Sequence, residues 1–187
     1  PPLPWTLALL FAKNLLESCH PADVDAGLAL LLAHHVYARG GEIDEARVRD
    51  VVKKNDPRVE AGGTQIVFPS TKAQRPQAVS VDERMIEDVV CLAVERAKGR
   101  EPSSSNPKLF CFGKAGFLKR FKGAQVRMGY PIPIFVRHSA RHGGATKDFS
   151  LKGRSEIEIS TRLRHADPKT SKIYLQDTAA MALLGDI

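Results

Sequence analysis

The stretch that decides how this sequence is interpreted reads Arg137-His138-Ser139-Ala140-Arg141-His142-Gly143-Gly144-Ala145-Thr146. A histidine and an arginine three residues apart lie on one face of a helix, so His138 and Arg141 can contact one oxyanion together. The planar fork of arginine donors also matches the geometry of phosphate oxygens. Taken alone, such a pair is more often an ordinary surface pair, so its meaning depends on the rest of the chain.

Two consecutive glycines, Gly143 and Gly144, follow this pair inside the same predicted helix. Each glycine in a helix interior costs about 1 kcal/mol relative to alanine. We therefore expect either a close approach of the helix backbone to a neighbouring element or a local break of the helix.

Positive charge is concentrated in one segment of the chain. The 187 residues have a formal net charge of +7, yet residues 102–147 contain neither Asp nor Glu. A basic segment of this kind is typical of proteins that bind a polyanion, and nucleic acid is the leading candidate. Its nine basic residues are Lys108, Lys114, Lys119, Arg120, Lys122, Arg127, Arg137, Arg141 and Lys147.

The remaining composition excludes several classes of protein. No apolar run approaches the roughly 18 to 20 residues that are needed to cross a bilayer. The apolar residues from Trp5 to Ala12 lack a basic n-region, which favours a first helix over a signal peptide. Three cysteines outside any CxxC spacing argue against a disulfide scaffold or a zinc ribbon and favour a reducing compartment.

Hydrophobic periodicity predicts a mainly α fold with a small antiparallel β-hairpin or sheet, an α+β arrangement. The second helix is apolar over much of its surface and is expected at the centre, capped by Asp23 after a stop at Pro21. A helix from Asp82 to Lys98 is expected to turn Met85 and Leu92 toward the core. The other predicted elements are helices at Thr6–Ser18 and Gly116–Arg127, a short helix with a strand-like exit at Glu42–Val52, strands at Thr64–Pro69 and Gln77–Val81, and a turn at Tyr130–Pro133.

Further residues outside the quoted stretch can take part in chemistry. Arg39 lies at the end of the apolar helix with Glu42 in position to hold it, although the same pair is an ordinary helix-end ion pair. Lys72, between the two strands, can donate a proton to a leaving oxygen if this tip covers a bound polyanion. Tyr174, nine residues after His165, can form a phosphodiester if nearby cations lower its reference pKa of about 10.

In order and spacing these residues resemble the catalytic domain of the tyrosine recombinase (phage integrase) family, identified by Arg, Lys, His-x-x-Arg, His or Trp, and Tyr. Arg141 follows Arg39 by 102 residues and His165 follows Arg141 by 24, intervals close to those of the family. The resemblance covers roughly residues 23–184. The matching residues are Arg39, Lys72, His138, Arg141, His165 and Tyr174.

The resemblance implies that DNA strands are cleaved and rejoined through a covalent 3′-phosphotyrosyl intermediate on Tyr174. Arg39 and Arg141 would clamp the non-bridging oxygens of the scissile phosphate, and His165 would add a hydrogen bond. Cofactors and metals are not implied, because the guanidinium groups supply the positive charge that a metal supplies in other phosphoryl transfers.

Proton transfer and positioning are implied for three further residues. His138 would accept or relay the tyrosine proton, and Lys72 would protonate the departing 5′-oxygen. Glu42 would brace Arg39 without touching the substrate.

The resemblance also implies partners and setting. Double-stranded DNA would be bound by a homo-oligomer, a tetramer assembled through the C-terminal helix at residues 177–184. The alternative for this short apolar helix is packing on the core of its own chain. The setting would be inside a bacterial cell or a eukaryotic nucleus and away from membranes. A mobile element is one setting of this kind. The chain is expected to be a single catalytic domain, residues 1–187, of a longer recombinase whose N-terminal DNA-clasping domain is absent. The expected DNA-binding residues are Lys114, Lys119, Arg120, Lys122, Arg127 and Arg137.

Departures from the family pattern leave alternatives open. Arg164 stands where the family often has glycine, and the interval of 33 residues between Arg39 and Lys72 is long for the family. A type IB topoisomerase that relaxes DNA uses a similar set of residues, and a non-catalytic DNA-binding module would share the basic segment. A metal protein that uses His138 and His142 is a third alternative, but the HExxH glutamate is missing.

Overall fold

The computed structural model describes residues 1–54, 56, 63–69 and 76–165. These residues form seven α-helices, a short 3-10 turn (Val48–Asp50) and a three-stranded antiparallel sheet, so the predicted mainly α class is confirmed. Lys72, Tyr174 and the predicted terminal helix lie outside the described residues. The elements are α1 (Trp5–Leu16), α2 (Pro21–His35), α3 (Gly40–Glu45), β1 (Val51–Val52), β2 (Gln65–Phe68), β3 (Gln77–Ser80), α4 (Arg84–Arg100), α5 (Lys114–Arg127), α6 (Arg137–Leu151) and α7 (Glu156–Leu163).

Helix α2 is the centre of the core, as its sequence predicts. It packs against α1, α4, α5 and α6, and its side chains are buried on all sides from Asp25 to His35. Leu28, Leu30 and Leu32 are at most 1% exposed, and each buried leucine stabilises the fold by about 1.5–3 kcal/mol. Among the described helices, none is long and apolar enough to cross a membrane.

The start of α2 differs from its prediction. The helix begins at Pro21 and does not stop there, because proline fits the first helical turn, where its missing N–H costs nothing. His20 caps this helix: its Nδ1 accepts a hydrogen bond from the backbone N–H of Ala22 at 3.1 Å. Asp23 lies in the first turn, where its carboxylate accepts from the Ser18 hydroxyl at 2.8 Å.

Two further predictions need correction, the helix at Glu42–Val52 and the buried face of α4. The helix predicted from Glu42 to Val52 is α3 followed by the 3-10 turn, because the chain becomes extended at Ala46 and pairs with Leu109. The strand-like exit predicted for this segment is Val51–Val52, which pairs with β2, so the predicted hairpin or sheet is a three-stranded sheet. Met85 and Leu92 on α4 are each 43% exposed, since the buried stripe of this helix runs through Ile86, Val90, Ala93, Val94 and Ala97.

The paired glycines of α6 allow this helix to touch the core with its backbone. An added Cβ on Gly143 would overlap the carbonyl of Leu3, and one on Gly144 would overlap the carbonyl of His34 in α2. The helix stays unbroken through both positions. The close approach that the sequence offered as one explanation is therefore the correct one, and it sets the distance between α2 and α6.

The proline-rich turn before α6 is fixed by one buried side chain. Gln125 donates from Nε2 to the carbonyl of Phe135 and accepts from its N–H, both at 2.9 Å. This amide clamp holds the end of the turn at Phe135, while the Tyr130 N–H at its start donates to the Gln125 backbone carbonyl at 3.0 Å. Helix α6 begins two residues after Phe135, at Arg137. Its first turn is stabilised by Ser139, whose hydroxyl accepts from the N–H of Val136 at 3.1 Å.

Candidate phosphate-binding site

Arg39 lies where the chain leaves α2 and enters α3. Tyr37 takes a left-handed conformation (φ 50°) that turns the backbone out of the helix, and Arg39 follows as the first residue before α3. The Glu42 carboxylate accepts from the Arg39 backbone N–H at 2.6 Å and from its guanidinium at 2.9 Å. The predicted pairing of Arg39 with Glu42 is therefore present, with the Arg39 side chain 27% exposed and Glu42 nearly buried.

Arg141 lies beneath the same region and is only 1% exposed. One terminal nitrogen of its guanidinium donates to the carbonyl of Tyr37 at 2.5 Å, and the other donates to the carbonyl of Leu163. These two carbonyls come from different parts of the chain, and together they fix the plane of the guanidinium group. The packing of α6 against α2 places Arg141 in reach of both.

The two predicted clamp arginines meet at one short segment. Arg141 donates to the carbonyl of Leu163, and Arg39 donates to the carbonyl of Arg164 at 3.1 Å. These carbonyls belong to consecutive residues and come directly before His165. Two guanidinium groups that are 102 residues apart in the sequence thus converge beside His165, the histidine that the resemblance predicts at the site.

The histidines of the site are surrounded by these cations. Partial burial, followed by the charges of Arg141 and Arg39, lowers the pKa of His165 to about 4. The same causes in the same order lower the pKa of His138. Because the protonated forms are disfavoured, both imidazoles are neutral near pH 7, able to accept a proton at one nitrogen and donate from the other.

His142 accompanies His138 on α6. Their rings meet edge to face with centroids 4.3 Å apart, and burial followed by the charge of His138 lowers the pKa of His142 to about 4. Within the described part of the chain, no group of three or more His, Cys, Asp or Glu residues is arranged to hold a metal ion.

The predicted DNA-binding residues fall into two groups. Four of them have exposed side chains on or at the end of α5: Lys114, Lys119, Lys122 and Arg127. Arg120 and Arg137 instead contact carboxylates within the protein. Arg120 lies 3.1 Å from Asp23, and Arg137 binds both oxygens of Asp44 at 2.7 and 2.8 Å, which ties α6 to α3.

Two of the three tyrosines are described, and both have packing roles. The Tyr37 hydroxyl donates to Asp148 at 2.7 Å, and burial followed by the Asp148 charge raises the pKa of this tyrosine. Tyr130 packs its ring against Phe11 and Phe135. Tyr174 and Lys72, the other two predicted catalytic residues, lie outside the described residues.

Sequence reasoning missed one residue that is central to this geometry. The Arg164 side chain is 3% exposed, and its guanidinium contacts the same Glu42 carboxylate that holds Arg39. The one signal for it in the sequence was its departure from the glycine that is common at this position in the resembling family. The carbonyl acceptors on Tyr37 and Leu163 leave no signal in the sequence.

The helical order and the small antiparallel sheet define the fold of a tyrosine recombinase catalytic domain. The site-specific recombinase XerH, solved with its palindromic difH substrate in a post-cleavage complex, superposes with a TM-score of 0.72 at 19% identity. The match covers 92% of this chain and 48% of XerH, so this chain spans about half the length of that recombinase.

Two integrases have the same fold. The catalytic domain of bacteriophage HP1 integrase superposes with a TM-score of 0.65 at 17% identity, covering 94% of this chain and 86% of that one. A lambda integrase dimer bound to a COC′ core site gives a TM-score of 0.64 at 14% identity, covering 92% of this chain and 47% of the integrase. No family model and no curated protein sequence matches the chain.

Proposed function

We propose that this chain cleaves and rejoins DNA strands at specific sites through a covalent 3′-phosphotyrosyl intermediate, as part of a DNA recombination or integration reaction. The observation that supports the proposal most is the convergence of Arg39 and Arg141 on the consecutive carbonyls before His165. The similarity of this chain's fold to that of XerH and of the HP1 and lambda integrases also supports the proposal.

The proposed chemical step uses Tyr174 as the nucleophile. Its oxygen forms a bond to the scissile phosphorus while the bond from phosphorus to the 5′-oxygen breaks, so the number of phosphate ester bonds is unchanged. The tyrosine proton passes to His138, which is neutral near pH 7, and Lys72 gives a proton to the departing 5′-oxygen. Attack by a 5′-hydroxyl reverses the step and rejoins a strand without an external energy source.

The cations act on the phosphate oxygens. Arg39 and Arg141 stabilise the charge that builds on the non-bridging oxygens in the transition state, and His165 donates a hydrogen bond to the same group. Because contacts to Glu42 and to backbone carbonyls already fix both guanidinium groups, little reorganisation is needed when the phosphate arrives.

The exposed lysines of α5 supply affinity for DNA in this proposal. They would contact backbone phosphates, which gives binding that depends on salt and only weakly on sequence. Assembly of several copies on DNA through the C-terminal segment, and the wider role of the chain as the catalytic domain of a longer recombinase, belong to the same proposal.

A covalent-trapping experiment tests the proposed function. The protein is incubated with a pool of nicked duplexes of random sequence, in which cleavage releases a short strand and traps the adduct. Adducts that resist SDS are captured, and their DNA is sequenced to recover a cleavage site. We expect an adduct from the wild type and none from Tyr174→Phe.

The matched control is Tyr130→Phe, which removes the same hydroxyl from a tyrosine that packs on Phe11 and Phe135. It should form the adduct as the wild type does. Equal adduct from the wild type and Tyr174→Phe would remove Tyr174 from the nucleophile role. DNA binding without any adduct would support the non-catalytic module, and relaxation of supercoiled DNA without strand exchange would support a topoisomerase.

A further inference from the structure

Arg164 occupies a backbone conformation that its residue type disfavours. It follows α7 with φ 56° and ψ 43°, the left-handed region. Among the described residues other than glycine, only Tyr37 shares a positive φ. This conformation costs about 1–2 kcal/mol for a residue with a Cβ, and glycine would avoid that cost. The Arg164 side chain must therefore make contacts that offset the strain.

Its guanidinium makes those contacts in a buried setting. One terminal nitrogen donates to the carbonyls of Val36 at 3.1 Å and Arg162 at 2.8 Å. The other donates to the carbonyl of Tyr37 at 2.8 Å and to the Glu42 carboxylate at 2.7 Å. The group also stacks on the ring of Phe68 in β2, 4.4 Å from its centre.

Both guanidinium contacts that Arg39 makes with described residues depend on Arg164. Arg39 donates to Glu42, whose other oxygen is held by the Arg164 side chain. It also donates to the Arg164 carbonyl. The position of this carbonyl is set by the left-handed turn, which the side chain of the same residue anchors to the end of α2. His165 is the next residue along the chain and leaves from the same turn.

We propose that Arg164 is a positioning residue, which holds the Arg39 guanidinium and the His165 imidazole in the geometry that the scissile phosphate requires. The inference rests on the proposed function for its catalytic consequence. It goes beyond that function because a residue that does not touch the DNA then helps to set the position of the Arg39 guanidinium.

Two variants of Arg164 separate its side chain from its backbone. Arg164→Gly removes every side-chain contact but relieves the left-handed strain, so part of the lost stability is recovered. Arg164→Lys keeps the charge but loses the planar fork that serves several acceptors at once. The matched control is Arg162→Lys. Arg162 is a buried arginine of α7 whose guanidinium donates to the carbonyl of His35 at 3.0 Å. Its described side-chain contacts do not include Arg39 or Glu42.

The first readout is single-turnover cleavage of the duplex recovered by covalent trapping. Displacement of a clamp group lowers the rate by roughly 10²-fold, so we expect a loss of this size in Arg164→Gly and a smaller loss in Arg164→Lys. DNA affinity should change little, because it comes from many phosphate contacts. Arg162→Lys should cleave at the wild-type rate, and a matching loss there would overturn the inference.

The second readout separates positioning from general damage. A methylphosphonate at the scissile position replaces one charged oxygen, so in one of its two diastereomers the Arg39 cation is no longer needed. With that diastereomer, the difference in cleavage rate between Arg164→Gly and the wild type should disappear. An equally large difference in cleavage rate with both diastereomers would show that Arg164 acts on the fold as a whole, which contradicts the inference.

The third readout needs no DNA. In ¹⁵N-labelled protein the Arg39 Nε–H resonance and the His165 titration midpoint should shift in Arg164→Gly and stay in place in Arg162→Lys. The Arg164 cation contributes to the low His165 pKa, so its removal raises that pKa. If the wild type forms no adduct, the proposed function fails, whereas unchanged Arg39 and His165 signals in Arg164→Gly overturn the positioning role.

Discussion

Replacing Gly144 with alanine tests the contact that brings the two halves of the site together. An added Cβ at this position would lie 2.8 Å from a ring carbon of Tyr37 and 2.9 Å from the His34 carbonyl carbon, and closer still to the carbonyl oxygen. Real Cβ atoms essentially never approach other atoms closer than 3.0 Å. The obstructing atoms are mainly backbone atoms of α2, which cannot rotate away as a flexible side chain can.

The helices α2 and α6 must therefore move apart by about 1 Å or more, and burial along their contact is lost. Overpacking of a core costs about 1–3 kcal/mol even where side chains can yield. For a backbone obstacle we expect about 3 kcal/mol, which lowers the melting temperature of a chain of this length by roughly 6–12 °C. The same movement separates Arg39, beyond the end of α2, from Arg141 on α6.

Calorimetry and the fluorescence of Trp5 measure this effect. Trp5 is the only tryptophan of the chain. Its ring lies 4.9 Å from that of His34 in α2, and the Lys147 ammonium of α6 lies 4.1 Å from its centre, so it contacts both helices. The matched control is Gly99→Ala in α4, where an added Cβ meets no atom within 4 Å. This control should stabilise the protein by up to about 1 kcal/mol. Unchanged melting and unchanged Trp5 emission in Gly144→Ala would refute the backbone contact.

Two further predictions concern charge. Burial alone would raise the pKa of Glu42, but the Arg164 charge and the hydrogen bonds from Arg39 and Arg164 outweigh it and lower that pKa below its usual 4.5. The carboxylate therefore stabilises the fold above about pH 4.5 and loses this contribution as the pH falls through its lower folded value. Glu42→Gln should lower the free energy of unfolding by about 3 kcal/mol at pH 7. The melting temperatures of this variant and the wild type should converge in acid, where the carboxylate is protonated. A difference in melting temperature that does not change with pH would contradict this. Lys122→Gln should reduce the slope of log K against log salt for DNA binding by about 0.9. The control is Lys152→Gln, because the Lys152 ammonium contacts Glu83 at 2.9 Å, and it should leave the slope unchanged. Equal slopes for both variants and the wild type would remove Lys122 from the interface.

The helices and their order could be predicted because their signals are local. Apolar spacing predicts α2 and α4, and the paired glycines of α6 by themselves indicate either a close backbone contact or a break. The cap of α2 was misassigned because His20 and Asp23 are both plausible near Pro21. Only the folded chain shows that Asp23 faces Ser18 and Arg120.

The residue types of the candidate site can be predicted from the sequence, but the hydrogen-bond acceptors and ion-pair partners that hold them cannot. Family-like spacing selected Arg39, Arg141 and His165. Their acceptors are backbone carbonyls, and every residue carries a carbonyl, so no residue type marks them in the sequence. Ion pairs such as that of Arg137 with Asp44 join positions 93 residues apart, which local pattern cannot detect.

The sharing of Glu42 explains how the site keeps its cations ordered without neutralising them. One carboxylate holds both Arg39 and Arg164, so this group of three side chains has a net charge of +1. A dedicated carboxylate for each arginine would fix the guanidinium groups equally well but would cancel the charge that a phosphodiester needs. Here the other described hydrogen bonds of both side chains go to neutral carbonyls, which orient the guanidinium groups and leave their charge in place. A phosphodiester of charge −1 then meets a preorganised cationic group, and the extra negative charge of the transition state is stabilised more strongly than that of the ground state.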